Sequence, residues 1–168
     1  SVMGIFSPFG VALDDAWRNV SEGNSGTVVV EDFDTSTYPT RIAGLVKGFD
    51  VDAYLAKKDQ RKNDPFIHYS VGASVDAIRD SGLEITEENG HRIGVALGAG
   101  IGGIQTIEDN LKKMFSGGVR KVSPFFIPGS IINMASGQVS ILQHITGPNI
   151  SIVTACATST HAIGLAAR

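Results

Sequence analysis

The sequence predicts an α/β protein, and three observations carry that expectation. Two short apolar runs, Arg92–Gly98 and Ile150–Val153, read as buried strands. Each leads directly into a turn of small residues and then a stretch with helical character. The 168 residues include 20 glycines and only 7% aromatic residues, which suits close backbone packing of strands against helices. A chain of this length forms one domain, residues 1–168, with a fair core.

From the N-terminus, Ser1–Ile5 reads as a short strand and Phe6–Gly10 as a turn. Leu13–Ser21 has helical spacing, with Ala16, Trp17 and Val20 as core positions and Gly23 near its end. Asn24–Gly48 is loop and short strand; Tyr38-Pro39 marks a turn, and Ile42, Leu45 and Val46 are strand-like. Asp64 is placed to cap a helix that opens on Pro65, where a missing N–H is no loss. An apolar stripe follows at a period near 3.6 (Phe66, Ile67, Val71, Ser74, Val75, Ile78), and Gly82 closes the helix. His68 lies one residue off the stripe and is expected at the surface. After the strand Arg92–Gly98, Thr106–Ser116 is a helix with Ile107, Leu111, Met114 and Phe115 on its apolar side, ended by Gly117-Gly118. Ser123–Pro128 is a rigid apolar loop whose Phe125-Phe126 pair fits a subunit contact or a core. Ser130–Gln143 is an apolar-rich helix, and Gly147-Pro148 turns the chain into its last strand. Arg168 falls inside a helical pattern with no cap, so the sequence is expected to be a fragment of a longer chain.

Composition narrows the function classes. A net charge of −3 gives no bulk attraction to nucleic acid. One cysteine excludes an internal disulfide and a cysteine-based zinc site. No apolar run approaches a membrane span, and no secretory apolar region opens the chain, so a cytoplasmic protein is expected.

That one cysteine, Cys156, follows the last strand and precedes a stretch of small residues that reads as a buried helix. A thiol at a helix N-terminus faces free N–H groups and the positive end of the macrodipole. Such a site favours thiolate and can stabilise the oxyanion formed when a thioester is attacked. The plainer reading is a small buried hydrophobe. His161 is roughly 140° from Cys156 on a helical wheel, a poor position for its base, and reads as a core histidine bonded to a backbone carbonyl. Lys57, Lys58, Arg61 and Lys62 form the densest basic cluster; spaced i, i+4, they make either an anion-binding face or a solvated one. No aromatics are interleaved, which weakens a single-stranded nucleic-acid reading. Gly98, Gly100 and Gly103 satisfy the outline of a dinucleotide fingerprint. The acidic residue that pattern needs about 20 positions on is missing, since residues 110–168 contain no Asp or Glu. The glycines are better read as room for a close neighbour.

Seven blocks in order resemble the β-ketoacyl-[acyl carrier protein] synthases, the condensing enzymes of fatty acid synthesis, and most closely their type II elongating branch. The blocks are Met3–Gly10, Asp32–Asp50, Lys57–Lys62, Asp80–Asn89, Arg92–Gly103, Gly118–Met134 and Gly147–Arg168. The resemblance implies a thiolase-like fold (layered αβαβα), of which this chain is the N-terminal mixed-sheet half ending in the nucleophile helix. It implies Cys156 as the nucleophile, with its own N–H in the oxyanion hole. Ile101 falls at the acyl-pocket wall, and Phe126 reaches across a homodimer interface to the partner's acyl pocket. Lys58, Arg61, Lys62, Arg120 and Lys121 match positions that dock the acidic acyl carrier protein. The substrates implied are acyl and malonyl thioesters. No resident cofactor is expected, because phosphopantetheine arrives on the carrier protein. The family's two catalytic histidines, its lysine and its second oxyanion amide come from the C-terminal half. Two other readings stand beside this one: a non-catalytic half acting as an interaction subunit, and, more remotely, a dinucleotide-binding module.

Overall fold

The chain's hydrophobic residues gather where one long helix crosses a second over a parallel strand pair. The computed structural model describes residues 2–168; Ser1, part of the expected first strand, lies outside them. The elements are α1 (Leu13–Ser21), β1 (Thr27–Val29), β2 (Ile42–Gly44), α2 (Lys57–Gln60), α3 (Pro65–Ser81) and β3 (Val95–Gly98). They continue with α4 (Ile104–Gly117), α5 (Phe126–Ser130), α6 (Asn133–Leu142), β4 (Asn149–Ile152) and α7 (Thr158–Ala166). β1 pairs antiparallel with β2. β3 pairs parallel with β4, Val95 opposite Asn149 and Gly98 opposite Ile152. The strands therefore form two separate two-stranded sheets.

Ile67 and Val71 of α3, Val139 of α6 and Val95 of β3 are buried together with Leu55 and Ile145. Side chains alternate across a strand. Val95 and Leu97 thus face α6, while Gly98 faces α7, where a Cβ would meet Thr158. The parallel pair lies between α6 and α7. A polar seam fixes α6 on β4: the hydroxyls of Ser136 and Ser151 are 2.7 Å apart, and Asn149 donates to the Ser136 carbonyl at 3.1 Å.

One buried carboxylate joins two helix starts. Asp64, 4% exposed, accepts from the Phe66 N–H at 3.2 Å and so caps α3, with Pro65 at its first position. Its other oxygen accepts from the Thr106 N–H of α4 at 2.8 Å. The Asp64 N–H donates to the Gly129 carbonyl of α5 at 3.2 Å. Three helices therefore meet at one residue.

Several expectations need correction. Val2–Ile5 forms no ladder; Gly4 instead lies so close to α3 that a Cβ there would fall 2.0 Å from the Ala73 carbonyl oxygen. Leu45 and Val46 lie beyond β2. The strand expected over Arg92–Gly98 starts at Val95, because Gly90–Arg92 closes a 3-10 turn. Of the α1 core positions only Ala16 is buried, and Trp17 is 70% exposed. In α4, Ile107 and Leu111 are exposed and Phe115 is 82% exposed; the residue α4 buries is Asn110. Asn110 bonds the Thr106 carbonyl and the Ser123 N–H, each at 2.8 Å. Residues 126–128 of the expected loop are helical, and the helix expected over Ser130–Gln143 is broken at Ile131, whose ψ is 141°. The break has a local cause. The carbonyls of Gly129 and Ser130 accept from Asp64 and Gly103, not from a continuing helix.

His68 is partly buried, its Nε2 3.1 Å from the Gln60 carbonyl. Burial pushes its pKa below the ordinary histidine value, against the opposing pull of that carbonyl and of Asp64. The folded state therefore binds the proton less readily than the unfolded chain. The contribution of this site is full above about pH 6.5 and falls as the pH drops through the depressed folded value. His68→Gln is expected to flatten the acid side of the stability profile, read as urea midpoint against pH.

Candidate active site

Strand, sharp turn and helix present Cys156. β4 ends at Ile152, residues Ala155–Ala157 form a 3-10 turn, and α7 starts at Thr158. Ala155 adopts φ 50°, a left-handed conformation that few residues with a Cβ take up. Thr158, 5% exposed, closes the turn. Its hydroxyl donates to the Ala155 carbonyl at 2.7 Å and accepts from the Thr154 N–H at 2.9 Å. Cys156 sits two residues before α7, where first-turn N–H groups have no intrahelical partners.

Cys156 is free and exposed, contrary to the expectation of a buried helix. α7 buries only Thr158 and Ala162, on the side that packs against the strands; its Ile163 is exposed. His161 is not a core histidine either. It is exposed, and its Nδ1 lies 2.8 Å from the Thr154 hydroxyl.

The glycine loop runs beside this turn. A Cβ on Gly98 would lie 2.2 Å from the Ile152 carbonyl oxygen, one on Gly103 2.5 Å from Ser130 Cα, and one on Gly100 3.7 Å from the Ala155 carbonyl oxygen. At Gly98 and Gly103 the space is taken by the chain's own backbone, whereas Gly100 is exposed and a Cβ there would make only ordinary contact. Ile101 projects from this loop, 73% exposed. Phe126 opens α5, partly buried, one helical turn before the Ser130 that Gly103 touches.

The basic cluster is divided. Lys57 pairs with Asp52 at 2.6 Å, and Lys62 pairs with Asp59 at 3.2 Å. α2 is only four residues long, so the broad helical face expected of the four cations is a single turn. Lys58 and Arg61 are exposed and enter no ion pair among the described residues. Lys62 also lies over the Phe125 ring, 5.5 Å from its centroid. Arg120 and Lys121 follow α4 and, with Lys113, line an open groove of about 630 Å³ that ends on Ser123 and Pro124. Phe125, which Lys62 covers, follows Pro124 of that groove in the sequence. Among the described residues no three His, Cys, Asp or Glu side chains cluster in a way that would hold a metal ion, and no helix is long and apolar enough to cross a membrane.

Two residues that shape this site and its surroundings are not visible as such in the sequence. Thr158 carries only the weak signal of a hydroxyl at a helix start. Asp64 is legible as a cap for α3, but its bond to α4 spans 42 residues.

Residues 2–168 match the family model described as beta-ketoacyl synthase, N-terminal domain. The chain is 52% identical over 166 residues to 3-oxoacyl-[acyl-carrier-protein] synthase 2 of Vibrio cholerae, covering 99% of this chain and 40% of that protein. With the enzyme of the same name from Coxiella burnetii the identity is 50%, again over 99% and 40% of the two chains. The chain thus spans about 40% of the length of the curated relatives it matches. Among solved structures it superposes on a beta-ketoacyl synthase from Burkholderia phymatum with a TM-score of 0.79 at 24% identity, covering 98% of this chain and 41% of that one. It also superposes on a type II PKS ketosynthase in complex with its acyl-carrier protein (TM-score 0.79, 23% identity, 99% and 44% covered). These likenesses show the fold, the thiolase-like one expected from the sequence.

Proposed function

This chain belongs to the β-ketoacyl synthase family, whose N-terminal domain it carries, and on that premise we propose that it is the nucleophile-bearing part of a 3-oxoacyl-[acyl carrier protein] synthase. The observation that carries the proposal is the turn that sets an exposed cysteine at the start of α7, in a chain 52% identical to a synthase of that name.

The Cys156 sulfur attacks the carbonyl carbon of an acyl chain held as a phosphopantetheine thioester. The oxyanion is stabilised by the Cys156 N–H and the helix start. The carbon–sulfur bond to phosphopantetheine breaks, leaving acyl-Cys156 and a free carrier thiol. A malonyl thioester then loses CO₂, and the electron pair of the broken carbon–carbon bond attacks the acyl carbonyl. The Cys156 thiolate leaves, and the product is a 3-oxoacyl thioester two carbons longer. The residues that assist decarboxylation belong to the remainder of the synthase, as does the second oxyanion donor. Ile101 contributes to the acyl pocket, and Phe126 does so across a homodimer. No resident cofactor is required, and the reaction takes place in the cytoplasm.

Lys58, Arg61, Lys62, Arg120 and Lys121 receive the carrier protein, Lys58 and Arg61 foremost because neither is paired. Reversing both charges is expected to raise KM for carrier-borne thioesters at least about tenfold and to spare small thioesters. An unchanged KM would leave them as ordinary surface. The overall reaction is tested by supplying the full-length synthase with acyl- and malonyl-carrier thioesters. One CO₂ per 3-oxoacyl product supports the proposal; transfer without chain extension contradicts it.

A further inference from the structure

We propose that Thr158 is a positioning residue for Cys156, seated by its methyl in the space that Gly98 leaves open. This rests on the reading of Cys156 as the nucleophile. The turn that carries the cysteine holds Ala155 at φ 50°, a conformation disfavoured for any residue with a Cβ. A turn of this kind persists only if its surroundings hold it. Thr158 does so from both sides: its buried hydroxyl accepts from the Thr154 N–H and donates to the Ala155 carbonyl, which the Thr158 N–H also bonds. The Ala155 carbonyl belongs to the peptide whose N–H is that of Cys156. Holding that carbonyl therefore fixes the plane of the cysteine's own amide, the group that faces the developing oxyanion.

Gly98 supplies the other half of the device. A Cβ there would lie 2.4 Å from the Thr158 Cγ2 and 2.2 Å from the Ile152 carbonyl oxygen. The threonine methyl occupies the space that glycine leaves. A β-branched side chain is stiff about χ1, so with its methyl against Gly98 the hydroxyl stays directed at the turn. The glycine that ends β3 and the second residue after the nucleophile thus act as one unit, although 60 positions separate them.

The test uses the full-length synthase and the rate of Cys156 acylation from an acyl-carrier thioester. Thr158→Val keeps the shape and removes the hydroxyl. Its acylation rate is expected to fall about 10- to 100-fold with KM within about twofold, the size of effect that a small misplacement of a reacting group produces. Thr158→Ser, which keeps the hydroxyl, should restore the rate to within about fivefold of wild type. If Thr158→Val does not fold, Thr158→Ala is read in its place: it too lacks the hydroxyl, and its acylation rate is expected to fall in the same range. A folded variant without the hydroxyl that acylates at the wild-type rate overturns the proposal. Cys156→Ala is run beside them. If it is blank while Thr158→Val is normal, only the positioning role fails; if Cys156→Ala still becomes acylated, the nucleophile reading itself fails.

Discussion

Replacing Asp64 with alanine is expected to destabilise the fold by about 2–4 kcal/mol, a large effect for a single polar side chain. Burial sets its size. The carboxylate is almost fully enclosed and satisfies one N–H at the start of α3 and another at the start of α4. Removing it leaves two donors in a place water does not easily reach, and each carries a desolvation cost of about 1–3 kcal/mol. The negative charge also faces two helix N-termini at once. Asp64→Asn should recover about half the loss, because its amide keeps one acceptor and turns its NH₂ toward the other donor. Urea unfolding of the three proteins checks this. A midpoint for Asp64→Ala equal to wild type would show that the two caps are dispensable.

The largest effect on activity is expected at Cys156. Cys156→Ala removes the only cysteine in the chain and leaves the backbone donors where they are. Acyl transfer is expected to fall by at least about 10³-fold, the scale associated with losing a covalent nucleophile. The fold should be retained, since the side chain is exposed and no buried volume is lost. Steady-state condensation assays and circular dichroism on the same preparation separate the two quantities. A drop of less than about tenfold in a well-folded variant would be incompatible with a covalent acyl intermediate.

What the sequence makes legible follows a physical line. Local signals carry through: Asp64, Pro65 and Gly82 bound α3 because caps act over one turn of chain, and the β4–turn–α7 unit follows from an apolar run meeting small residues. Periodicity misleads where an amphipathic face lacks a neighbour within the chain. The α4 stripe Ile107, Leu111 and Phe115 is apolar yet exposed, as is Trp17. The break at Ile131 is illegible because it depends on carbonyls taken by residues distant in sequence. At the site, the cysteine stands out by its context and by the seven-block resemblance. Its exposure does not follow from sequence, because a helix with small residues packs closely only on the side where a partner lies. The unity of the basic cluster fails for a similar reason. Spacing shows which charges share a face, but the partners Asp52 and Asp59 that neutralise two of them appear only in the folded chain.

Whether Cys156 carries the acyl chain is tested most directly by withholding the malonyl donor. The full-length protein is incubated with an acyl-carrier thioester alone, and the modified peptide is mapped by mass spectrometry. The expected result is one acyl group in thioester linkage on the peptide containing Cys156, released by neutral hydroxylamine. An unmodified Cys156, with the acyl chain elsewhere or absent, would contradict it and bring forward the reading of this chain as a non-catalytic half.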